Sequence, residues 1–466
     1  MIEEKSVFFL LPVLLSRFYE RVKTLNLHEL VKNAGVVGAG GAGFPTHVKL
    51  KAKAEFILLN GAECEPLLRV DQQLMEKHPD EIIKGFAAAG QMTGAKKALI
   101  GIKGKHKKVI SILRERIKAL QIDHYMEVRE LKDVYPAGDE QVLVFELTGR
   151  VVPEAGIPID VGCVVINSET ALNVYKALNH EPVTETYLTI GGDVPRRLTV
   201  KVPVGTPVKD VLRLAGIEDL ADFAVIDGGP MMGTVINGTE GYVTKTTKAL
   251  LVLKKNHPLI VRKTRTYEQA LRVNKTCEQC RMCTDMCPRY LLGHNIQPHK
   301  MVRIVNFGLH DIEPQTTVYL CSQCNLCELF SCPINIYPRT ANMFIKDKLI
   351  EKNIRYQRSK DVFEAHHARE WRLVPTNRLT ARLGLMPFDK PAPLTEETVH
   401  SEIVYIARRQ HIGAPAIPVV SAGESVKAGQ LIGEIPENSL GAPVHSSISG
   451  TVVSVTEDYI AIRREK

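Results

Sequence analysis

The chain has 466 residues, enough for about three domains that each bury a core of their own. Its hydrophobic content of 44% and charged content of 24% are ordinary for a soluble globular protein. The net charge of +8 is modest, and the basic residues are spread out with no aromatic–basic platform, which argues against a nucleic-acid partner. Eight of the ten cysteines lie within residues 277–332, which disfavours a disulfide framework and suits thiol ligands in a reducing cytosol.

An apolar segment, Val7–Leu15, lies close to the N-terminus. Its nine residues include a proline and are too few to cross a bilayer, which takes about 20. Glu3 and Glu4 precede it in place of a basic region, so it differs from a secretory signal. We expect a short docking helix here, or a translation start that has been placed too early. No other stretch approaches transmembrane length, so we expect no membrane span.

A glycine-rich loop follows the helix expected over residues 25–34. Gly38, Gly40 and Gly43 satisfy the pattern G-x-G-x-x-G. A Rossmann unit needs a full strand before the glycines and a helix directly after them, whereas two valines precede this loop and Phe44-Pro45 follows it. We therefore do not interpret the loop as a conventional Rossmann site. Its backbone N–H groups can still approach a phosphate or an isoalloxazine ring closely; the alternative is a merely flexible loop.

Strands and helices alternate up to about residue 180, which predicts an α/β domain. The expected strands are Phe56–Leu59, Ala98–Ile102 and Val161–Ile166, and the expected helices are Lys107–Leu120 and Ala171–Leu178. Asn60–Pro66 ends the first strand with an amide and two carboxylates, groups that can bind a ligand. Tyr135–Glu140 forms a turn, and Asn167–Thr170 caps the last helix.

Residues 184–256 contain a strand pair, a helix and further strands, an order that resembles a β-grasp fold. The expected strands are Tyr187–Ile190, Leu198–Val202, Phe223–Ile226 and Ala249–Leu253, and the expected helix is Val208–Ala215. Gly229–Gly233 is either part of a ligand site or a hairpin whose methionines pack inward. We favour inward packing for the methionines.

The stretch Cys277–Pro333 carries two runs of four cysteines. Three cysteines at i, i+3 and i+6 on a tight loop can hold three irons of one cubane cluster. In two-cluster ferredoxins the fourth cysteine, which precedes a proline, ligates the other cluster. This rule predicts one [4Fe–4S] cluster on Cys277, Cys280, Cys283 and Cys332, and a second on Cys321, Cys324, Cys327 and Cys287.

The alternatives for these cysteines are zinc sites and disulfides. Zinc sites favour paired C-x-x-C knuckles over triplets with a trailing Cys-Pro. The second run has four residues before Cys332, where the usual pattern has three. This spacing widens one loop without removing a ligand.

The last part of the chain changes from a basic segment to a β-rich one. Residues 346–400 are basic and broken by prolines, and they contain His366, His367 and Trp371. A histidine pair can bind a metal, but we interpret this one as part of a solvated helix face. Residues 401–466 have the periodic glycines of a barrel-sandwich hybrid, as in biotinyl and lipoyl carriers. The central hairpin Pro436–Pro443 lacks the lysine that carriers modify, so we expect a docking or structural module.

Four motifs occur in a fixed order along the chain: Gly38–Thr46, Asn60–Pro66, Tyr135–Glu140 and Asn167–Thr170. In that order they resemble the flavin-bearing, NADH-oxidising subunit of respiratory complex I and, more closely, the RnfC protein of the Rnf electron-transport complex. RnfC proteins carry their barrel-sandwich module before the glycine loop, whereas here it closes the chain. This order resembles the cobalamin reductases of the propanediol-utilisation microcompartment, and the resemblance begins at about residue 25.

The resemblance implies a multidomain protein of α/β and α+β type. The expected units are an N-terminal extension (1–24), an α/β FMN and NADH domain (25–183), a β-grasp domain of the SLBB type (184–256), a ferredoxin-like domain with two [4Fe–4S] clusters (257–345), a basic linker or helical segment (346–400) and a C-terminal barrel-sandwich hybrid (401–466).

The resemblance also implies where the cofactors bind. FMN is expected against Gly38, Gly40, Gly41, Gly43, Lys49, Asn60, Glu63, Asn167 and Thr170. NADH is expected to approach over Phe44, with Glu65 and Glu140 nearby. Ala62 and Cys64 stand where the complex I protein has an acidic residue and a serine, so the chain departs from that protein beside the flavin.

The function that the resemblance implies is NADH-dependent electron transfer to a corrinoid. FMN would accept the hydride, and the two clusters would lead to the corrinoid, which is reduced from cob(III)alamin to cob(II)alamin and cob(I)alamin. We expect no essential catalytic side chain. The implied location is the cytoplasm, inside a bacterial microcompartment, with an adenosyltransferase and shell proteins as partners. The alternatives are an Rnf-like protein that exchanges electrons with a membrane partner, and a non-catalytic iron–sulfur adaptor without a working flavin site.

Overall fold

The computed structural model describes residues 26–236, 241–358 and 360–465. The apolar segment Val7–Leu15 and the expected N-terminal extension lie outside these residues. Within the described part of the chain, no helix has both the length and the apolar character needed to cross a membrane. Four structural units follow one another: a first unit of α/β type, a second unit of α+β type, a helical cysteine unit and a C-terminal β module.

The first unit contains a parallel sheet in the order β3-β2-β1-β5. Its strands are β1 (Phe56–Gly61), β2 (Lys97–Lys103), β3 (Met126–Leu131) and β5 (Cys163–Asn167), and a short strand β4 (Val134–Tyr135) lies outside this sheet. Strand β1 is buried on both faces, as central parallel strands are: Ile57 and Leu59 face one core, and Leu58 faces the other. Asn60 pairs with Asn167 in register, so two amides meet at the carboxyl edge of the sheet.

Helices cover both faces of this sheet. They are α1 (Leu27–Asn33), α2 (Thr46–Lys49), α3 (Val70–Lys77), α4 (Pro79–Thr93), α5 (Lys107–Ala119), α6 (Glu140–Thr148) and α7 (Ser168–Leu178). Helix α6 packs on one face, whereas α1, α3, α4, α5 and α7 pack on the other. Helices α4 and α7 approach so closely that a Cβ at Gly85 would lie 1.9 Å from the Ala171 carbonyl oxygen. Glycine at this position is therefore a requirement of the packing.

The second unit is a mixed sheet in the order β7-β6-β10-β8-β9. Its strands are β6 (Glu185–Gly192), β7 (Leu198–Pro203), β8 (Phe223–Asp227), β9 (Thr234–Ile236) and β10 (Ala249–Lys254), and its helix is α8 (Val208–Arg213). The first and last strands pair in parallel, and all other pairs are antiparallel. Each of the four strands expected from the sequence lies inside an observed strand, and α8 packs Val211 and Leu212 onto the sheet.

The cysteine unit is built from short helices. They are α9 (Pro258–Lys263), α10 (Tyr267–Asn274), α11 (Met282–Asp285), α12 (Pro288–Leu291), α13 (Pro298–Phe307), α14 (Ile312–Thr316), α15 (Leu326–Leu329) and α16 (Pro338–Glu351). The expected domain boundary at residue 345 falls inside α16. The helix continues across it because Ile345 and Leu349 are buried against Met301 and Ile304 of α13.

The segment expected as a basic linker packs back onto the first unit. Strand β11 (Val374–Pro375) pairs with β4, and the buried guanidinium of Arg369 lies 2.5 Å from Glu146 of α6. A short helix, α17 (Thr376–Arg382), follows. The interpretation of His366 and His367 as part of a helix face is wrong, because both lie outside any helix and stack ring to ring at 4.4 Å.

The C-terminal module consists of two facing sheets. Strands β12 (Ile403–Ala407), β14 (Ser425–Val426), β17 (Gly450–Val455) and β18 (Tyr459–Arg464) form one sheet, and β13 (Ile417–Pro418), β15 (Leu431–Glu434) and β16 (Val444–His445) form the other. Val404, Ile432 and Val452 belong to one core shared by the two sheets. The module touches the first unit through Ile412, whose backbone N–H donates to the Gly43 carbonyl at 3.1 Å.

Candidate functional site

A cavity of about 480 Å³ lies at the carboxyl edge of the first sheet, between the glycine loop and β5. This volume is within the range of small-molecule sites, about 300–1,000 Å³. Eight of the residues expected from the sequence lie on its wall: Gly38, Gly40, Phe44, Lys49, Asn60, Glu140, Asn167 and Thr170. We call it the flavin cavity, after the cofactor expected there.

Hydrogen bonds fix the shape of the glycine loop beside this cavity. The Ala39 N–H donates to the Thr170 hydroxyl at 2.9 Å, and the Gly38 N–H donates to the Phe44 carbonyl at 2.9 Å. A Cβ at Gly40 would lie 3.7 Å from the Asn167 Cβ and would project into the space between loop and strand end. The loop is therefore a cradle that side chains would narrow, which fits a bound ring or phosphate.

Polar groups at the strand ends are held in place by the protein itself. The Asn60 amide donates to the Gly138 carbonyl at 2.8 Å. Asn167 caps α7 by accepting from the Glu169 N–H at 3.0 Å, and its amide donates to the Asp71 carboxylate at 3.0 Å. These bonds orient both amides before any ligand binds, so the edge is preorganised.

One cation and one anion on the cavity wall pair with each other. Lys49 Nζ lies 2.6 Å from Glu140 Oε1, and both side chains are partly exposed. A salt bridge with this exposure contributes about 0–1 kcal/mol, so either partner can exchange it for a ligand at low cost. The ammonium group of Lys49 can donate to a phosphate, and the carboxylate of Glu140 can accept from a ribose hydroxyl.

The structure does not bring Glu63 and Glu65 to the cavity wall. Glu63 accepts from the Val70 and Asp71 N–H groups at the start of α3, and burial, followed by the charge of Asp71, raises its pKa to about 7. Glu65 accepts from two backbone N–H groups of the Gly229–Gly233 turn, both at 2.8 Å. Burial raises the pKa of Glu65 as well. Glu63 thus holds the beginning of α3, and Glu65 joins the first unit to the second.

Gly41 and Gly43 are also absent from the described wall of the cavity. Gly43 has a φ of +65°, and a Cβ there would lie 3.1 Å from the His411 Cα of the C-terminal module. Its role is to let the loop and the module meet. Ile412, the next residue of the module, is on the cavity wall, which the sequence did not predict. The rest of the wall is mostly apolar and comprises Ala42, Thr46, Val48, Ala52, Gly138, Ile157–Ile159 and Cys163–Ile166.

The cysteine unit brings together the cysteines that the ferredoxin rule assigns to the first cluster. Cys277, Cys280, Cys283 and Cys332 line one small cavity, although Cys332 is far from the others in sequence. We call them the outer set. Their arrangement around a common space fits a cubane held by four thiolates.

The remaining four cysteines form a second group, which we call the flavin-facing set: Cys287, Cys321, Cys324 and Cys327. Burial raises the pKa of Cys324, and the nearby charges of Cys287 and Cys321 raise it further, so these three thiols lie close together. No disulfide joins any of the ten cysteines. Within the described residues, no group of three or more histidines, cysteines or acids is arranged to hold a single metal ion.

The two cysteine loops share an unusual backbone. Gln279 and Arg281 have φ values of +54° and +67°, and the matching residues Gln323 and Asn325 have +57° and +67°. Such left-handed turns wrap the backbone around the cysteines and direct N–H groups toward sulfur: the Gln323 N–H lies 3.4 Å from the Cys321 Sγ. Repetition of one strained geometry at both loops fits two equivalent cluster cradles.

The flavin-facing set lies against the first unit. The Tyr135 hydroxyl donates to the Cys324 carbonyl at 2.8 Å. Arg289, two residues after Cys287, forms a nearly buried ion pair with Asp139 at 3.0 Å. Asp139 also caps α6, whose first residue, Glu140, is on the wall of the flavin cavity. One turn of the first unit therefore touches both the cavity and the cysteine unit.

Comparison with protein families agrees with this arrangement. Residues 31–176 match the Nuo51 FMN-binding domain, residues 276–337 match a 4Fe-4S dicluster domain, and residues 390–465 match the RnfC barrel sandwich hybrid domain. Among solved structures, a chain of the air-oxidized NAD+-reducing [NiFe]-hydrogenase is similar at 20% identity and a TM-score of 0.47, over 78% of this chain and 67% of that one.

Three relatives extend these matches. The cobalamin reductase PduS of Salmonella typhimurium is 45% identical over 94% of this chain and 96% of its own, and that of Citrobacter freundii is 44% identical over the same shares. A component of the Na(+)-translocating ferredoxin:NAD(+) oxidoreductase complex of Acetobacterium woodii is 35% identical over 58% of this chain and 59% of its own. The family expected from the motif order is confirmed: this chain belongs to the PduS cobalamin reductase family.

Proposed function

We propose that this protein is an NADH-dependent cobalamin reductase. It reduces cob(III)alamin to cob(II)alamin and cob(I)alamin, and so serves the recycling of adenosylcobalamin in propanediol utilisation. The observation that carries the proposal is the turn Tyr135–Glu140, which contributes to the flavin cavity and contacts the flavin-facing cysteines in one polypeptide. A relative named cobalamin reductase, 45% identical over nearly the whole chain, supports the choice of acceptor.

FMN fits the flavin cavity in size and in chemistry. Glycine backbone at Gly38 and Gly40 leaves room for the ring or the phosphate, and Asn60 and Asn167 offer oriented amides. When bound, FMN accepts two electrons as a hydride and releases them one at a time. The residues of this chain bind the group, orient it and exclude water, and no side chain acts as an essential acid or base.

NADH has its proposed place over Phe44, on the wall of the flavin cavity. Phe44 is half-buried and offers an apolar face for the nicotinamide. Glu140 can accept from a ribose hydroxyl once Lys49 turns to a phosphate. Glu63 and Glu65, which lie outside the cavity wall, support the fold around this place instead of touching the dinucleotide.

We assign one [4Fe–4S] cluster to each cysteine set, so that the chain carries two. The dicluster match over residues 276–337 and the repeated loop geometry support this number. The second unit is assigned to the SLBB type of β-grasp domain, on the basis of its parallel pair of first and last strands. Location inside a microcompartment, with an adenosyltransferase and shell proteins as partners, is part of the same proposal.

The reaction balances without a further reagent. Hydroxocob(III)alamin and NADH give cob(I)alamin, NAD+ and water, because the hydride supplies two electrons and its proton joins the released hydroxide. The test is anaerobic reduction of hydroxocobalamin by the purified chain with NADH, followed by visible spectroscopy. Absence of bound flavin, or NADH that fails to bleach flavin and cluster absorption, would contradict the proposal.

A second candidate is an Rnf-like protein that exchanges electrons with a membrane partner. The similarity to the component of the Acetobacterium woodii complex favours it, although that match covers only 58% of this chain. The two candidates separate in the same assay. An Rnf-like protein bleaches with NADH but does not reduce hydroxocobalamin, whereas the proposed reductase does both alone. A non-catalytic adaptor would show cluster absorption but no response to NADH.

A further inference from the structure

A second cavity, of about 780 Å³, shares no wall residue with the flavin cavity. Its walls come from β9, α9, the beginning of α10, the second cysteine loop and α16. We call it the basic cavity, and its defining residues are Arg262, Lys263, Arg265, Asn325, Arg339 and Lys346. Met232, Arg265 and Tyr267 on its wall are exposed, so the cavity is open to solvent and a ligand larger than the cavity can insert one edge.

The basic cavity carries an excess of positive charge. Five cationic side chains line it, against the two acids Glu328 and Asp347. Within the described residues, none of the five is paired with a carboxylate at ion-pair distance. Lys263 Nζ donates only to two backbone carbonyls, at 3.1 and 2.6 Å, and the Arg265 guanidinium lies 5.4 Å from the centre of the Tyr337 ring. The cavity is therefore suited to a ligand that carries or gains negative charge.

Three buried polar atoms of the cavity wall have no hydrogen-bond partner in the described part of the chain. They are Arg262 Nε, Arg339 Nε and Asn325 Oδ1. Asn325 is 6% exposed, and its amide nitrogen is already bonded to the Met231 carbonyl at 2.7 Å. An unpaired buried donor or acceptor costs about 1–3 kcal/mol. Together with the cations, the polar side chains of the wall suit a molecule that carries both amide groups and negative charge.

The position of the basic cavity links it to both cysteine sets. Asn325 directly follows Cys324, and Glu328 directly follows Cys327, so the wall is continuous with the flavin-facing set. Arg339 directly follows Pro338, which lines the cavity of the outer set. Arg339 also donates to the Gln323 side chain at 3.3 Å, and this bond joins α16 to the second cysteine loop.

We propose that the basic cavity binds the corrinoid, an inference that rests on the proposed reductase function. A corrinoid has a phosphodiester in its nucleotide loop and amide side chains around its ring, which match the cations and the polar side chains of the cavity wall. Each electron delivered to cobalt adds one negative charge, from Co(III) to Co(II) to Co(I), and the axial hydroxide leaves as water. Unpaired cations nearby stabilise the product more than the substrate, and this difference favours reduction.

The test removes charge at the rim without touching a cysteine loop. We expect the double variant Arg265→Gln/Lys346→Gln to raise both the KM and the equilibrium-dialysis Kd for hydroxocobalamin about tenfold, because two charge-assisted contacts are weakened. Thr234→Trp, which adds bulk at the exposed edge of β9, should raise both at least as much. NADH–ferricyanide activity, bound FMN and cluster absorption should stay at wild-type values.

Two control variants each remove one positive charge that lies outside the cavity. Lys348→Gln lies on α16 two residues beyond Lys346, and Arg272→Gln lies on α10. Both should leave KM and Kd unchanged. If wild-type protein reduces hydroxocobalamin while the cavity variants behave like the controls, the corrinoid binds elsewhere and the inference is overturned. If wild-type protein neither binds nor reduces hydroxocobalamin, the proposed function fails, and the site inference fails with it.

Discussion

The outer and flavin-facing cysteine sets have matching loops but different surroundings. Left-handed residues stand at equivalent positions in both loops, so the two cradles offer similar geometry. In the outer set Cys280 is exposed, whereas Cys324 of the flavin-facing set contacts Tyr135 of the first unit through its carbonyl. The difference lies in the neighbours and not in the ligands. Only the flavin-facing set contacts the turn Tyr135–Glu140, whose Gly138 and Glu140 are on the wall of the flavin cavity, so we expect the two proposed clusters to have different roles.

Substitution of the fourth cysteine of a run is the change that we expect to distinguish the two sets most strongly. We expect Cys332→Ala to destroy the outer cluster and to spare the flavin-facing one, because Cys332 lies with the outer set in space. Iron content should fall by roughly half, and the low-temperature EPR spectrum should keep the signal of one cluster. Cys287→Ala is the mirror experiment and should spare the outer cluster.

The control is Cys163→Ala, which removes a buried thiol far from both loops in sequence and should leave the iron content unchanged. Loss of the flavin-facing cluster in Cys332→Ala would show that each run holds its own cluster. The exchange of fourth ligands assigned here would then be wrong.

The ion pair between Asp139 and Arg289 holds the flavin-facing set against the first unit. We expect Asp139→Asn to destabilise the protein by about 3 kcal/mol, because Arg289 is left nearly buried and unpaired. Asparagine is also a good N-cap, so the beginning of α6 is retained and the effect isolates the ion pair. Thermal unfolding of the holoprotein measures the change.

Arg272→Gln is the matched control for that experiment. It breaks an exposed pair with Glu268 within α10, which is typically worth about 0.3–0.5 kcal/mol. Equal shifts in the two variants would mean that the contact between the units contributes little. The two cysteine sets would then differ less than their neighbours suggest.

Glu63 adds a pH dependence to the flavin side of the comparison. Burial and the charge of Asp71 raise its pKa to about 7, above the value of 4.5 expected when unfolded. The folded protein therefore retains this proton between those pH values, and the free energy of unfolding decreases as pH rises from about 4.5 to 7. We expect Glu63→Gln to be more stable than wild type at pH 8, by up to ~3 kcal/mol, and similar at pH 5.

Glutamine preserves the acceptor oxygen that caps α3, so Glu63→Gln changes the titration and little else. Thermal unfolding of variant and wild type from pH 5 to 8 measures the difference between their free energies of unfolding. The exposed Glu115→Gln on α5 is the control and should show no such trend. If this difference in stability were the same at every pH in the range, titration of Glu63 would not be its cause.

The sequence predicted the strands and the cysteine sets, because these features depend on the local pattern of residues. The buried strands β1 and β2 are apolar runs and were recognised, and the cysteine spacing predicted the two sets. Strand β3 was missed because the alternation of apolar and charged residues in Met126–Leu131 breaks at Glu130. Local pattern thus predicts continuous apolar strands better than short strands of mixed polarity.

Sequence patterns did not predict the contacts between distant segments. Ile412 completes the flavin cavity from a module that begins more than 200 residues after β5, and its own segment has no motif. Glu65 was expected beside NADH because it belongs to a known motif, yet it caps a turn of the second unit. The walls of the basic cavity come from five separate parts of the chain, and no single stretch of sequence indicates it.

The hydrogen bond from Tyr135 to Cys324 gives the smallest and most selective test of the comparison. Tyr135 is 2% exposed, and its hydroxyl dipole points its positive end at the Cys324 carbonyl. Tyr135→Phe removes this dipole and keeps the packing, so a reduced cluster at the flavin-facing set loses some stabilisation. We expect the reduction potential of the flavin-facing cluster to become about 30 mV more negative, which is half of the 59 mV that shifts a one-electron equilibrium tenfold.

The outer cluster is the internal control in an EPR-monitored redox titration, since no contact links it to Tyr135 among the described residues. Equal shifts of both potentials would point to a general loosening of the fold, and no shift would show that this contact only holds the units together.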